Sequence, residues 1–171
     1  MLPQVVQNAL NEQINAELTA SYSYLAMSAY CEHTNLRGFA AWLRAQSQEE
    51  YGHAMKLVGF LQARHCKVNL QAIPTPKSDF PSLLGVFEFA LEQEKLVSAR
   101  IDSLYELAFK EKAFAALVEL QWFITEQVEE EQTFRGIVNK LQLLKDDPSA
   151  ILDLDREMGA QSTASAAEDA D

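Results

Sequence analysis

Two cysteines, Cys31 and Cys66, are all that this chain of 171 residues contains. That excludes a disulfide framework and reads as two reduced thiols, the pattern expected of a cytoplasmic protein. Positive charge is also in short supply: 14 Lys and Arg stand against 25 Asp and Glu, a net charge of −11. So acidic a chain argues against nucleic acid or an anionic membrane surface as partner, both of which favour basic proteins. It suits a protein that attracts cations. No run approaches about 18 unbroken apolar residues, so no transmembrane helix is expected. No basic segment followed by an apolar run opens the chain, so no signal peptide is expected either. Glycine and proline number only six and five. What is present is a 48% apolar content, enough to exclude a disordered chain, in a length that suits one domain with a full core.

The prolines mark boundaries: Pro3 at the start, Pro74, Pro76 and Pro81 in one stretch, Pro148 late. Between them lie Ala, Leu, Glu, Gln and Lys, good helix formers. Four long helices are expected at about Pro3 to His33, Leu36 to Arg64, Ser82 to Phe109 and Ala113 to Lys145. Asn35 is the expected N-cap of the second. A short fifth helix is expected from about Pro148 to Met158, with Pro at its first position. Residues 1–160 form a single helical domain on this reading. Residues 161–171, rich in Ala, Ser and Asp, are expected to be a disordered tail. The short links after helices one and three imply two antiparallel hairpins. The link of about 17 residues after Arg64 is long for a bundle and could travel the length of a helix. The fold class is therefore all-α, two hairpins joined by one crossover.

Each long helix carries an apolar stripe at spacing three and four. The first reads Leu10, Ile14, Glu17, Ser21, Tyr24, Ser28. The second reads Phe39, Leu43, Gln46, Glu50, His53, Leu57, Phe60. The third reads Leu84, Phe87, Leu91, Glu94, Val97, Ile101, Leu104. The fourth reads Leu120, Phe123, Gln127, Glu130, Phe134, Ile137, Leu141. All four are interrupted near mid-helix by a glutamate. Burying an unpaired carboxylate costs roughly several kcal/mol, and the seam offers no Lys or Arg to offset it. A metal centre is the simplest explanation. Glu50 and His53, three apart, share a helix face and can hold the same ion. One imidazole among several carboxylates suits iron or manganese better than a thiolate site would. Glu50, central to the group, could bridge two ions.

Other residues leave two readings open. Any one stripe glutamate alone could reach to solvent as a boundary residue; four together do not fit that reading. Gln127 either orients a ligand by hydrogen bonding or is a polar seam residue. Glu49, Glu126, Glu129 and Glu131 are either a solvated helix face or part of a third cation site that shares Glu130. Tyr24 lies two turns from Glu17. It either bonds a carboxylate or donates an electron to dioxygen. Trp122 reads as core or interface packing. Cys31, Cys66, His33 and His65 read as surface or core residues.

With these residues in view, the chain resembles the ferritins, and most closely the bacterial non-haem type, over about Met1 to Gln161. The strings that carry the resemblance are Asn11-Glu12-Gln13-Ile14-Asn15-Ala16-Glu17 with Tyr24, Glu49-Glu50-Tyr51-Gly52-His53, Leu91-Glu92-Gln93-Glu94, and Trp122-Phe123 with Glu126-Gln127-Val128-Glu129-Glu130-Glu131. The resemblance implies a ferritin-like up-down-down-up four-helix bundle. It implies a di-iron ferroxidase centre: Glu17, Glu50 and His53 on the first iron, Glu50, Glu94 and Glu130 on the second, Gln127 hydrogen-bonded within it and Tyr24 beside it. Glu49, Glu126, Glu129 and Glu130 match the third iron site of many bacterial members. Gln127-x-x-Glu130 stands where a bacterioferritin has a second Glu-x-x-His, and Tyr51 where it has its haem methionine, so no haem is expected.

Ferrous iron and dioxygen or peroxide would be the substrates. The assembly would be a 24-mer homo-oligomeric shell storing ferric oxide, its fifth helix matching the one that lines the four-fold axis. Two rival functions remain: a di-iron carboxylate oxidase or peroxidase without a storage role, and a helical interaction module whose core acids are protonated or paired.

Overall fold

The computed structural model describes residues 2–145 and 147–168, with the side chains from 163 onward excepted. It consists of α1 (Gln4–His33), α2 (Arg37–Ala63), α3 (Leu83–Lys110), α4 (Phe114–Leu144) and α5 (Pro148–Glu168), with no strand among the described residues. α1 packs chiefly on α2, α3 on α4, and α5 against α2.

The core is split in two. One apolar cluster holds Tyr24, Phe39, Leu43, Leu91 and Phe134, together with Leu154 and Met158 of α5. The other holds Val6, Ile14, Leu57, Val97, Leu120 and Phe123. Along the chain α1 runs from the second cluster to the first, α2 and α3 run the other way, and α4 returns. That is the up-down-down-up order. Between the clusters lies the polar layer, where all four helices place their glutamates. Ser21 and Ser47 tie α1 to α2 across it: each hydroxyl donates to the other residue's carbonyl, at 2.6 and 2.7 Å.

The crossover runs back along α1. At one end Asn11 Nδ2 donates to the Lys67 carbonyl at 3.1 Å and its Oδ1 accepts from Asn69 N at 2.6 Å; at the other, the Tyr30 hydroxyl donates to the Phe80 carbonyl at 3.0 Å. Asn11 and Tyr30 are about 28 Å apart on a helix, within reach of the extended segment between Asn69 and Phe80.

Helix ends differ from expectation in two respects, the cap of α2 and the end of α5. Asn35 does not cap α2. Its φ is 63°, and it closes α1 instead: its N–H bonds the Glu32 carbonyl at 3.1 Å and Leu36 N bonds the Cys31 carbonyl at 2.9 Å. This is a Schellman closure, normally built on glycine, which Asn tolerates because its side chain can bond locally. His65 and Lys112 close α2 and α3 in the same way, with φ of 55° and 53°. The cap of α2 arrives from elsewhere: Asp155 Oδ1, on α5, accepts from Phe39 N at 2.9 Å.

α5 is also longer than the span from Pro148 to Met158. Asp147 Oδ1 accepts from Ser149 N at 2.9 Å, capping its start, and the helix continues past Gly159 to Glu168. Ala, Gln and Ser favour or tolerate helix, and an internal glycine costs only about 1 kcal/mol. Gly159 and Gly38 serve close approach instead. A Cβ on Gly38 would fall 1.7 Å from the Asp155 carbonyl oxygen, and one on Gly159 would lie 3.2 Å from Gly38 Cα. Residues 169–171 of the expected tail lie outside the described residues.

Candidate metal centre

The helical period brings Glu17, Glu50, His53, Glu94, Gln127 and Glu130 into the layer between the two apolar clusters, and all six are buried. A ligand atom from each of Glu17, Glu50 and His53 lies within 4.8 Å of the others. His53 Nδ1 is 3.3 Å from Glu50 Oε2. Trp122 packs edge-on against His53 at 5.1 Å, with Phe123 beyond it at 6.1 Å. Trp122 is not a core residue, being 38% exposed, but packs one edge against an imidazole of the layer. Lys56 Nζ sits over its outer ring face at 4.6 Å.

Glu94 and Glu130 do not complete a three-residue group of that tightness among the described residues. They join the layer through hydrogen bonds. The Tyr24 hydroxyl donates to Glu94 Oε1, and Gln127 Nε2 donates to Glu94 Oε2 at 3.0 Å. Gln127 and Tyr24 thus each donate a hydrogen bond to the Glu94 carboxylate. Gln46 Nε2 lies 3.4 and 3.3 Å from the two oxygens of Glu130. Gln13 Nε2 donates to Glu17 Oε1 at 2.8 Å.

The sequence reading gave neither Gln13 nor Gln46 a role. The signal was there: each sits four residues before a core glutamate, Glu17 or Glu50, on the same helix face. For Gln46 the partner proves to be Glu130 on another helix, which helical spacing could not indicate.

Buried charge without a counterion shapes the protonation of this layer. Burial pushes the Glu17 carboxyl well above the carboxylate range, and Glu50 beside it pushes further. Glu50 is raised by burial and then by Glu94. Glu94 is raised by burial, against the opposing hydrogen bonds from Tyr24 and Gln127. Glu130 is pushed up to about 9 by burial and by Glu49, Glu94, Glu126 and Glu129. Burial likewise raises the Tyr24 hydroxyl, reinforced by Glu94. Three buried oxygens in the layer, Glu17 Oε2 and both of Glu50, meet no donor other than the facing Glu17 or Glu50 carboxyl, which can share a proton between them. Buried acceptors are normally satisfied. Such carboxylate oxygens, facing an imidazole, are the donor set a hard divalent cation takes.

The outer acids divide. Glu49 and Glu126 each offer an oxygen within 4.8 Å of one another and of His53. That group includes the imidazole, and Glu130 of the expected third site lies close enough for the charges of Glu49 and Glu126 to raise its carboxyl. Glu129 joins no group of that tightness among the described residues, although its charge reaches Glu130. Glu131 accepts from Ser98 Oγ at 2.7 Å and from Arg135 at 3.2 Å, and its charge reaches Glu94.

Comparison with known proteins agrees with this geometry. A family model described as a ferritin-like domain matches residues 7–144. The bacterial non-heme ferritin of Staphylococcus aureus is 37% identical over 161 residues, covering 94% of this chain and 97% of the relative. That of Staphylococcus haemolyticus is 37% identical over 162 residues, covering 95% and 98%. Among solved structures, an open pore ferritin from the hyperthermophilic archaeon Archaeoglobus fulgidus superposes with a TM-score of 0.92 at 43% identity, covering 93% of this chain and 98% of that one. An engineered closed form of the same ferritin matches equally well, at 0.92 and 43%, covering 93% and 97%. Fold, buried carboxylate layer and relatives together place this chain in the ferritin family.

Proposed function

We propose that this protein is an iron-storage ferritin with ferroxidase activity: it binds ferrous iron as paired ions in the carboxylate layer, passes their electrons to dioxygen, and holds the ferric product as hydrated oxide inside a shell of its own copies, expected to number 24, in the cytoplasm. The observation that carries this reading is the buried cluster of Glu17, Glu50 and His53, in which three carboxylate oxygens meet no donor but each other's carboxyl.

Charge supports it. Ionised Glu17, Glu50, Glu94 and Glu130 carry four negative charges, which two divalent ions balance. Without ions the raised carboxyls keep protons, so binding displaces protons from them. Iron is the substrate, and its chemistry here is loss of one electron per ferrous ion to an oxidant. The chain's part is placement. Glu50, with neither oxygen held by an amide, is suited to bridging. Glu17 offers Oε2 while Gln13 holds Oε1. Glu94 is oriented at both oxygens by Tyr24 and Gln127. Glu49, Glu126 and His53 offer a third position beside the pair, with Glu129 in the surrounding acidic field.

Replacing Glu50 or His53 with Ala is expected to slow ferrous oxidation by orders of magnitude in stopped-flow absorbance, and unchanged rates would overturn the assignment. Native mass measurement with iron-loading stoichiometry tests storage: a large assembly holding many irons per chain supports it, and a small oligomer holding two would make the protein an oxidase instead.

A further inference from the structure

Three carboxylates of the layer are each held by a different buried glutamine. Gln13 serves Glu17, Gln127 serves Glu94, and Gln46 serves Glu130. Glu50, in the middle, is held by no amide among the described residues and faces the Glu17 carboxyl instead. Gln13 and Gln46 are 3% and 7% exposed, on two different helices. An amide is a fitting donor for this task. It orients a carboxylate without cancelling its charge, whereas a Lys or Arg would supply the positive charge that the ions bring.

The geometry also selects oxygens. Gln13 occupies Oε1 of Glu17 and leaves Oε2 open, so Glu17 presents a single oxygen toward the space shared with Glu50 and His53. Gln46 is nearly equidistant from both oxygens of Glu130 and comes from the helix that carries Glu50. It fixes the carboxylate plane of α4 relative to α2. These are the partners that hold a ligand in place before the ion arrives.

We propose that Gln13 and Gln46 are positioning residues for two different ion subsites: Gln13 for the one built on Glu17, Glu50 and His53, and Gln46 for the one built on Glu50, Glu94 and Glu130. The inference rests on the paired-ion reading above and adds to it a division of labour between the two amides. Neither residue bonds the ion. Each decides which way its carboxylate faces, so loss of one amide weakens one subsite and spares the other.

The test is anaerobic titration of Co2+ into the metal-free full-length protein, followed by calorimetry and by the visible absorption of bound Co2+, neither of which depends on oxidation. Glu17→Ala marks the binding step that belongs to its subsite. Gln13→Met is expected to weaken that same step about 10- to 100-fold, the usual effect of losing an orienting partner, and to alter its absorption band. Gln46→Met is expected to weaken the other step and leave the first intact. If the Met variant loses its fold, Gln13→Asn keeps the amide but withdraws it by one methylene, and the same loss is expected. Either variant weakening both steps alike, or neither step, would overturn the division. Glu50→Ala separates the two claims: if it binds Co2+ as the parent does, the paired-ion reading fails, whereas if it loses both steps while Gln13→Met loses none, only the role of the amides fails.

Discussion

Glu130→Gln is expected to stabilise the metal-free protein at neutral pH while impairing its iron chemistry. The carboxyl titrates near 4.5 in an unfolded chain and is pushed up to about 9 in the folded one. Between those values the folded state holds a proton that the unfolded state has released. Stability contributed by a raised group is fully present below the unfolded value and falls as pH rises toward the folded one. The slope is about 1.4 kcal/mol per pH unit, so at pH 7 this one group has cost about 3 kcal/mol relative to pH 4.5. Glu17, Glu50 and Glu94 are displaced in the same direction and steepen the fall. A glutamine at position 130 is neutral at every pH and can still accept from Gln46, whose amide lies 3.3 Å from the carboxylate it replaces. Urea unfolding of chelator-treated protein, followed by far-ultraviolet circular dichroism across this pH range, measures the difference. Near pH 4.5 parent and variant should coincide, and by pH 7 the variant should lead by up to about 3 kcal/mol. Adding Zn2+ should favour the parent, because only it has the full set of carboxylates and ligand binding stabilises the folded state. A gap that does not change with pH, or a variant less stable than the parent at pH 7, would refute the reasoning.

Three further outcomes follow from the geometry. Asp155→Ala removes the cap that α5 supplies to α2, and should cost about 1 to 2 kcal/mol in thermal or urea unfolding; an unchanged midpoint would mean solvent replaces the carboxylate at no cost. Gly38→Ala places a methyl 1.7 Å from the Asp155 carbonyl, so it should separate α5 from α2, detectable as faster amide exchange along α5, and native-like protection there would count against this close crossing. Lys112→Gly relieves a left-handed residue with φ of 53° and should stabilise by up to about 1 kcal/mol, less the added freedom of the unfolded chain; a destabilised variant would show that the lysine side chain does more than close the helix.

How much of the centre could be read from the sequence depended on the range of the interaction. Glu17, Glu50, His53, Glu94 and Glu130 stood out because helical periodicity is local, and a carboxylate in an apolar stripe is an anomaly within its own helix. Gln13 lay four residues before Glu17, so its partner was within reach of the same reasoning. Gln46 was visible in its stripe but donates to Glu130, 84 positions away. The misplaced cap has the same origin. Asn35 precedes α2 as a cap should, but the local bonds of the left-handed turn claimed it for α1, and the acceptor for Phe39 came from a helix 116 residues onward.

The sequence by itself determined that four amphipathic helices form, that short links pair them into hairpins, that a long crossover joins the pairs, and that carboxylates interrupt the apolar face of each. All of these follow from period and spacing along one segment. Only the tertiary structure decided which oxygens of Glu17 and Glu50 face each other, which amide serves which carboxylate, that His53 lies with Glu49 and Glu126, and how far α5 extends. Those choices depend on the rotation and height of one helix against another. That register is set by the packing of all the helices at once, and no single stretch of sequence contains it.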